Sequence, residues 1–131
     1  MSVATATVER PRRRVLILGG GYVGLYTALG LQRALSRTPM EITLVNPENF
    51  MTYQPFLPEV ASGLIEPRHV VLSLRQTLPR VRLLVGEARR IDTSARMARI
   101  RMMDGREEEM AYDVLVVHVV SRTGSVSESR R

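Results

Sequence analysis

The sequence predicts an α/β fold with a mostly parallel sheet and a small antiparallel side ribbon. Three observations predict it. Val15-Leu16-Ile17-Leu18 is apolar at every position, as a central parallel strand covered on both faces requires. A glycine cluster, Gly19-Gly20-Gly21, follows at once and opens a stretch of helical period. Further short apolar runs, Ile42-Thr43-Leu44-Val45, then residues 82–85, then 114–117, are separated by crossover-length segments, which is the spacing of parallel βαβ connections.

The helix is expected over residues 22–36. Gly24, Ala28, Leu31 and Leu35 fall on one stripe of it, and Thr38-Pro39 stops it. The second strand ends at Asn46-Pro47. Residues 50–58 are rich in proline and aromatics and read as irregular. A short helix is expected over 58–62, with Gly63 as its C-terminal breaker, and another over 70–78, stopped by Pro79. The third strand covers 80–85, with Gly86 as a turn signal. Residues 88–92 and 98–103 read as the two strands of the side ribbon, and Asp104-Gly105 as a turn. The last strand is expected over 112–120. The domain reading is a disordered basic arm over 1–13, a partial nucleotide-binding domain over 14–120 and a disordered tail over 121–131, polar and rich in Ser and Arg.

Composition excludes several chemistries. The chain has 131 residues, enough for one core. It has no cysteine, so disulfides, thiolate metal sites and a redox thiol pair are excluded within it. The run 114–120 is too short to span a bilayer and contains His118. No targeting signal is visible, because residues 1–14 lack an apolar core. The formal net charge is +6, and all 19 basic residues are arginine. They are scattered, apart from Arg12-Arg13-Arg14 before the first strand, which reads as a solvated leader. No nucleic-acid partner is therefore expected.

Gly19-x-Gly21-x-x-Gly24 fits G-x-G-x-x-G in the required context, behind a buried strand and at the head of a helix. Gly19 permits the tight turn, Gly21 lets a pyrophosphate approach the backbone, and Gly24 lets helix and strand lie close. The helix N-terminus adds N–H donors and a positive dipole end. This is a Rossmann-like dinucleotide site. The acid that binds a ribose hydroxyl belongs roughly 20 residues on, where Asn46 stands. Asn46 can accept one ribose hydrogen bond through Oδ1 or cap the turn before Pro47; both readings stay open. No Arg directly follows it, so a 2′-phosphate is not signalled. His69, between Arg68 and Val70, reads as an ordinary surface histidine.

Over residues 14–117 the sequence resembles the FAD domain of type II NADH dehydrogenases, the NADH:quinone oxidoreductases related to the pyridine nucleotide-disulfide oxidoreductases. Four pieces carry the resemblance: the strand and turn from Val15 to Gly24, the strand Ile42 to Asn46, the segment Gln54-Pro55-Phe56-Leu57-Pro58-Glu59-Val60-Ala61-Ser62-Gly63, and Tyr112-Asp113-Val114-Leu115-Val116-Val117. The third resembles a family segment that passes beside the flavin ring. The resemblance implies an FAD/NAD(P)-binding flavoprotein in which NADH reduces FAD by hydride transfer and the flavin reduces a quinone. The cofactor supplies the redox chemistry, and no catalytic side chain and no metal is implied. It assigns cofactor binding to Gly19, Gly20, Gly21, Tyr22, Val23 and Gly24, with Asn46 at the ribose, Gln54 beside the flavin and Ala88 at the adenine. It implies a cytoplasmic protein whose full-length relatives attach peripherally to the inner face of the membrane.

The sequence departs from the family after Val117. A small-residue turn whose glycine approaches the flavin is replaced by His118-Val119-Val120. The second dinucleotide domain, which would bind NADH, is expected to be absent from this chain. The domain is expected to be incomplete, a truncated or frame-shifted product that binds FAD weakly and is inactive alone. The rival readings are a non-catalytic dinucleotide-binding module and a basic RNA- or membrane-surface binder, the latter disfavoured by the glycine context.

Overall fold

The computed structural model of the chain describes residues 12–52, 61–64 and 71–118. Strand β1 (Arg13–Leu18) leads through the glycine turn into helix α1 (Tyr22–Ala34) and returns as β2 (Met40–Asn46). A two-stranded antiparallel hairpin, β3 (Phe50–Thr52) and β4 (Val71–Ser73), comes next, then a one-turn helix α2 (Leu74–Thr77). Strands β5 (Arg82–Asp92), β6 (Met97–Met102), β7 (Glu107–Ala111) and β8 (Val114–Val117) complete the order.

The main sheet runs β7-β6-β5-β2-β1-β8. Its pairs β1–β2, β1–β8 and β2–β5 are parallel, and β5–β6 and β6–β7 are antiparallel. The four parallel strands are those the apolar runs predict. Leu18 pairs with both Val45 and Val117, and Asn46 pairs with Val85, so all four carboxyl ends lie at one edge.

The unbroken apolar character of β1 follows from its two neighbours. Val15 and Ile17 join Leu25 and Ala28 of α1, with Ile42, Leu44, Leu74, Leu78 and Val81, in one buried cluster. Leu16 and Leu18 join Val45, Leu84, Ala98, Ile100 and Tyr112 in a second. Alternate side chains of a strand point to opposite faces, so the centre of the sheet, β1 and β2, is buried on both faces. The second cover is the antiparallel ribbon, not a helix as a doubly covered parallel strand suggests.

Several boundaries differ from expectation. The helix expected over 70–78 is strand β4 followed by the shorter α2. Ser73 caps α2, its Oγ accepting from Gln76 N–H at 3.4 Å, and β-branched Val71 sits in the hairpin. Residues 50–52, expected irregular, pair as β3. Gly86 is not a turn. The third strand runs through it, pairing with β2 up to Val85 and with β6 from Gly86 onward, with a register shift between Ala88 and Arg90. A Cβ at Gly86 would overlap the Arg101 carbonyl oxygen, so glycine here is a close-approach residue within a strand. Strand β7 was not expected, because Glu107-Glu108-Glu109 reads as polar. It is an edge strand, where charge is favourable, and it pairs its glutamates with Arg99 and Arg82. The last strand is shorter at its start, since residues 112 and 113 turn into it. Arg13 and Arg14, read as leader, belong to β1 and pair with Met40 and Glu41. Arg10, the tail, His69, and most of the segment from Gln54 to Gly63 lie outside the described residues.

Candidate functional site

In open parallel sheets, ligands bind beyond the carboxyl ends of the strands, where the order reverses. Here β2 lies on one side of β1 and β8 on the other, and the glycine turn leaves β1 at that point.

Each glycine of the turn has a separate steric cause. Gly19 has φ +104°, and a Cβ on it would overlap the carbonyl oxygen of His118; only glycine meets both conditions. Its N–H donates to Val45 O at 2.8 Å, and His118 N–H donates to Leu18 O at 2.9 Å, so the turn is sewn to β2 and β8. A Cβ on Gly24 would overlap the Gly19 carbonyl oxygen, and Ile17 Cγ2 lies 3.5 Å from the same point. This is the close packing of helix on strand that the third glycine provides. Gly20 is enclosed as well: its Cβ position is 2.9 Å from both Asn46 Cγ and Leu74 Cδ1.

Gly21 differs. It is the N-cap of α1, with an extended backbone and no side-chain capping bond. The first helical bond runs from Leu25 N–H to Gly21 O at 2.8 Å, so the preceding N–H groups lack an intrahelical acceptor. The first turn holds no acidic side chain that would neutralise the positive end of the helix. A Cβ on Gly21 would meet no backbone. Its nearest neighbours are His118 Nδ1 and Cε1, at 3.5 and 3.6 Å.

Asn46 sits at the end of β2 with both side-chain heteroatoms engaged. Oδ1 accepts the Gly20 N–H at 2.9 Å, and Nδ2 donates to Glu48 O at 2.7 Å. The first bond ties β2 to the glycine turn, and the second closes a turn across Pro47. An amide oxygen has two lone pairs, so one acceptor position of Oδ1 is left over. Tyr22 is partly buried at the head of α1, and Val23 is exposed beside it. Ala88 lies on β5, three residues past Val85, partly buried against the second core cluster. The structure thus brings together Gly19, Gly20, Gly21, Tyr22, Val23, Gly24 and Asn46, and sets Ala88 further along β5. Gln54 lies outside the described residues.

The residues fit a dinucleotide pyrophosphate: a lane a Cβ would fill at Gly21, an N-terminal helix turn without competing acid, and a strand-end acceptor 26 residues after Gly20 in sequence. Two participants escaped the sequence reading. Leu74, fully buried from α2, walls the Gly20 position, and its 54-residue separation from Gly20 left no local signal. His118 stands against Gly21; the departure from family pattern at that residue was its one trace.

The family profile described as "Pyridine nucleotide-disulphide oxidoreductase" matches residues 13–124. A type II NADH:quinone oxidoreductase of Staphylococcus epidermidis is 33% identical over 124 residues, covering 93% of this chain and 29% of the relative. The type II NADH:quinone oxidoreductase NdhA of Mycobacterium tuberculosis is 35% identical over 109 residues, covering 81% of this chain and 22% of the relative. The chain therefore spans less than a third of the length of these curated relatives. In fold it is similar to NDH2 from Plasmodium falciparum in complex with NADH, with TM-score 0.74, 21% identity, and coverage of 88% of this chain and 24% of that one.

Proposed function

Since this chain belongs to the pyridine nucleotide-disulphide oxidoreductase family, we propose that it holds FAD at the glycine turn as the FAD-binding part of an NADH:quinone-type oxidoreductase. The observation that supports this most is the lane at Gly21. Neighbouring glycines are locked in place by backbone or core contacts, whereas Gly21 faces only a side chain. Its lack of a Cβ is thus explained by an incoming group and not by packing.

When bound, FAD supplies the hydride and electron transfer; the chain's own residues bind and orient. The N–H groups at the head of α1 face the pyrophosphate, and Gly19 and Gly24 keep that helix end against β1. Asn46 would offer its remaining lone pair to a ribose hydroxyl, and the resemblance to the family assigns Ala88 to the adenine and Gln54 to the flavin. The same kinship supports a cytoplasmic location, with peripheral attachment to the inner face of the membrane in full-length relatives. Among the described residues, no helix is long and apolar enough to cross a membrane.

The test is a titration of the 131-residue chain with FAD, beside Gly21→Val. Saturable binding by the parent chain and loss in the variant, with unchanged circular dichroism, is expected. Equal binding by both would overturn the assignment.

A further inference from the structure

We propose that the imidazole of His118 is a plug in the phosphate lane of the glycine turn, and that it sets the affinity of the site for a dinucleotide. The inference rests on the dinucleotide reading of that turn and adds to it the residue that opposes binding.

The backbone of His118 is fixed. Its N–H bonds Leu18 O, and its carbonyl oxygen fills the place a Gly19 side chain would need. From that anchor the ring lies over Gly21, with Nδ1 and Cε1 at ordinary contact distance, 3.5 and 3.6 Å, from the Gly21 Cβ position. That position is the lane itself. The gap between the ring and the Gly21 backbone admits a methyl-sized group at ordinary contact, but a phosphate seated on that backbone is larger and would overlap the ring. The ring must therefore turn aside before a phosphate can sit there.

The resting position of the ring is also a poor one for an imidazole. Nδ1 is buried and has no hydrogen-bond partner among the described residues. A buried ring nitrogen without a partner is unfavourable, so the plug is held by packing alone and gives way at modest cost. An apolar ring of the same size would carry no such penalty and would hold the lane more firmly. The apparent affinity of a site whose competent state is only partly populated falls in proportion to that population. Removing the ring should raise affinity, and making it apolar should lower it.

The experiment titrates FAD into the parent chain, His118→Ala, His118→Phe and Gly21→Val, with thermal melts of each to establish folding. His118→Ala should bind FAD about tenfold more tightly than the parent, the change expected if the ring fills the lane in about nine of ten free molecules; His118→Phe should bind more weakly. If His118 were instead a phosphate donor, both His118 variants would weaken binding, and that result overturns the plug while leaving the dinucleotide reading intact. Unchanged affinity in His118→Ala overturns it equally. If no variant and not the parent bind FAD, the dinucleotide reading fails and the plug with it. A second measurement needs no variant to fold. With only two histidines in the chain, the His118 Cε1–H proton is resolvable by NMR. It should show a nuclear Overhauser effect to the Gly21 α-protons in the free chain and lose it on adding FAD. Absence of that effect in the free chain overturns the proposal.

Discussion

Oδ1 of Asn46 accepts the Gly20 N–H at 2.9 Å, so the residue that closes β2 also holds the turn that closes β1. Asn46→Ala leaves the buried Gly20 N–H without its acceptor and Glu48 O without its donor. A loss of about 1–3 kcal/mol of stability is expected from the unpaired buried donor, read by urea unfolding. Asn46→Asp keeps an acceptor for Gly20 but turns an oxygen toward Glu48 O. It should fall between the parent and the alanine variant. Equal stability of parent and Asn46→Ala would show that the bond does not hold the turn.

Two glycines of α1 should respond to alanine in opposite directions. Gly24 has the Gly19 carbonyl oxygen where a Cβ would go, while Gly30, exposed on the same helix, has nothing within 4 Å. Gly24→Ala should cost about 1–3 kcal/mol, the scale of forced overpacking. Gly30→Ala should stabilise by about 0.5–1 kcal/mol through helix propensity. Thermal melts of the two single variants check this, and loss of stability in Gly30→Ala would mean that the helix surface is covered by something else.

Gly86→Ala tests the joint between the parallel sheet and the ribbon. The added Cβ meets the Arg101 carbonyl oxygen across the β5–β6 pair. The ribbon carries Ala98 and Ile100 of the second core cluster, so displacing it uncovers one face of the parallel sheet. Destabilisation of about 1–3 kcal/mol is expected, with amide exchange rising in β6 and β7 more than in α1. Uniform exchange across the chain would place the effect elsewhere.

What the sequence showed and what it hid follow from range. The run Val15 to Leu18 and the glycines after it are local signals, and they located β1, the turn and α1 to within about two residues. The central strands β1 and β2 were legible because both are buried on both faces over residues 15–18 and 42–45, whereas β5 and the edge strand β8, only partly buried, showed through their short apolar runs. Strand β7 was hidden because its glutamates obey the rules of an edge, where charge is the norm. Gly86 was misread because a glycine in a turn and a glycine under another strand look alike in sequence; the difference is Arg101, fifteen residues away. In the site, Asn46 was found by its distance from the glycines, but its bond to Gly20 and the approach of Leu74 and His118 are tertiary and have no periodicity to announce them.

At the opposite end of the sheet, an ion pair fastens β1 to β8. Arg14 donates to Asp113 three times: N–H to Oδ2 at 2.7 Å, Nε to Oδ2 at 3.2 Å and a terminal nitrogen to Oδ1 at 3.1 Å. Asp113 N–H donates back to Arg14 O at 2.9 Å. This fork fixes the start of β8 against β1. The hydrogen bonds from the Arg14 side chain, then from its backbone, hold the Asp113 carboxyl down from 3.8 to about 2. A carboxyl whose folded value is depressed stabilises the fold at pH above its unfolded value. That contribution is lost as pH falls through the folded value. Asp113→Asn removes the charge at every pH. The urea midpoint of the parent should therefore exceed that of Asp113→Asn at neutral pH, hold that lead down to about pH 5, and lose it progressively between about pH 4 and pH 2. Asp92 and Asp104 are also held low, by Ser94 and by Arg106 respectively, but both are present in the two chains and cancel in the difference. A lead that persists unchanged below about pH 2, or no lead at neutral pH, would show that the carboxylate charge does not fasten β8 to β1.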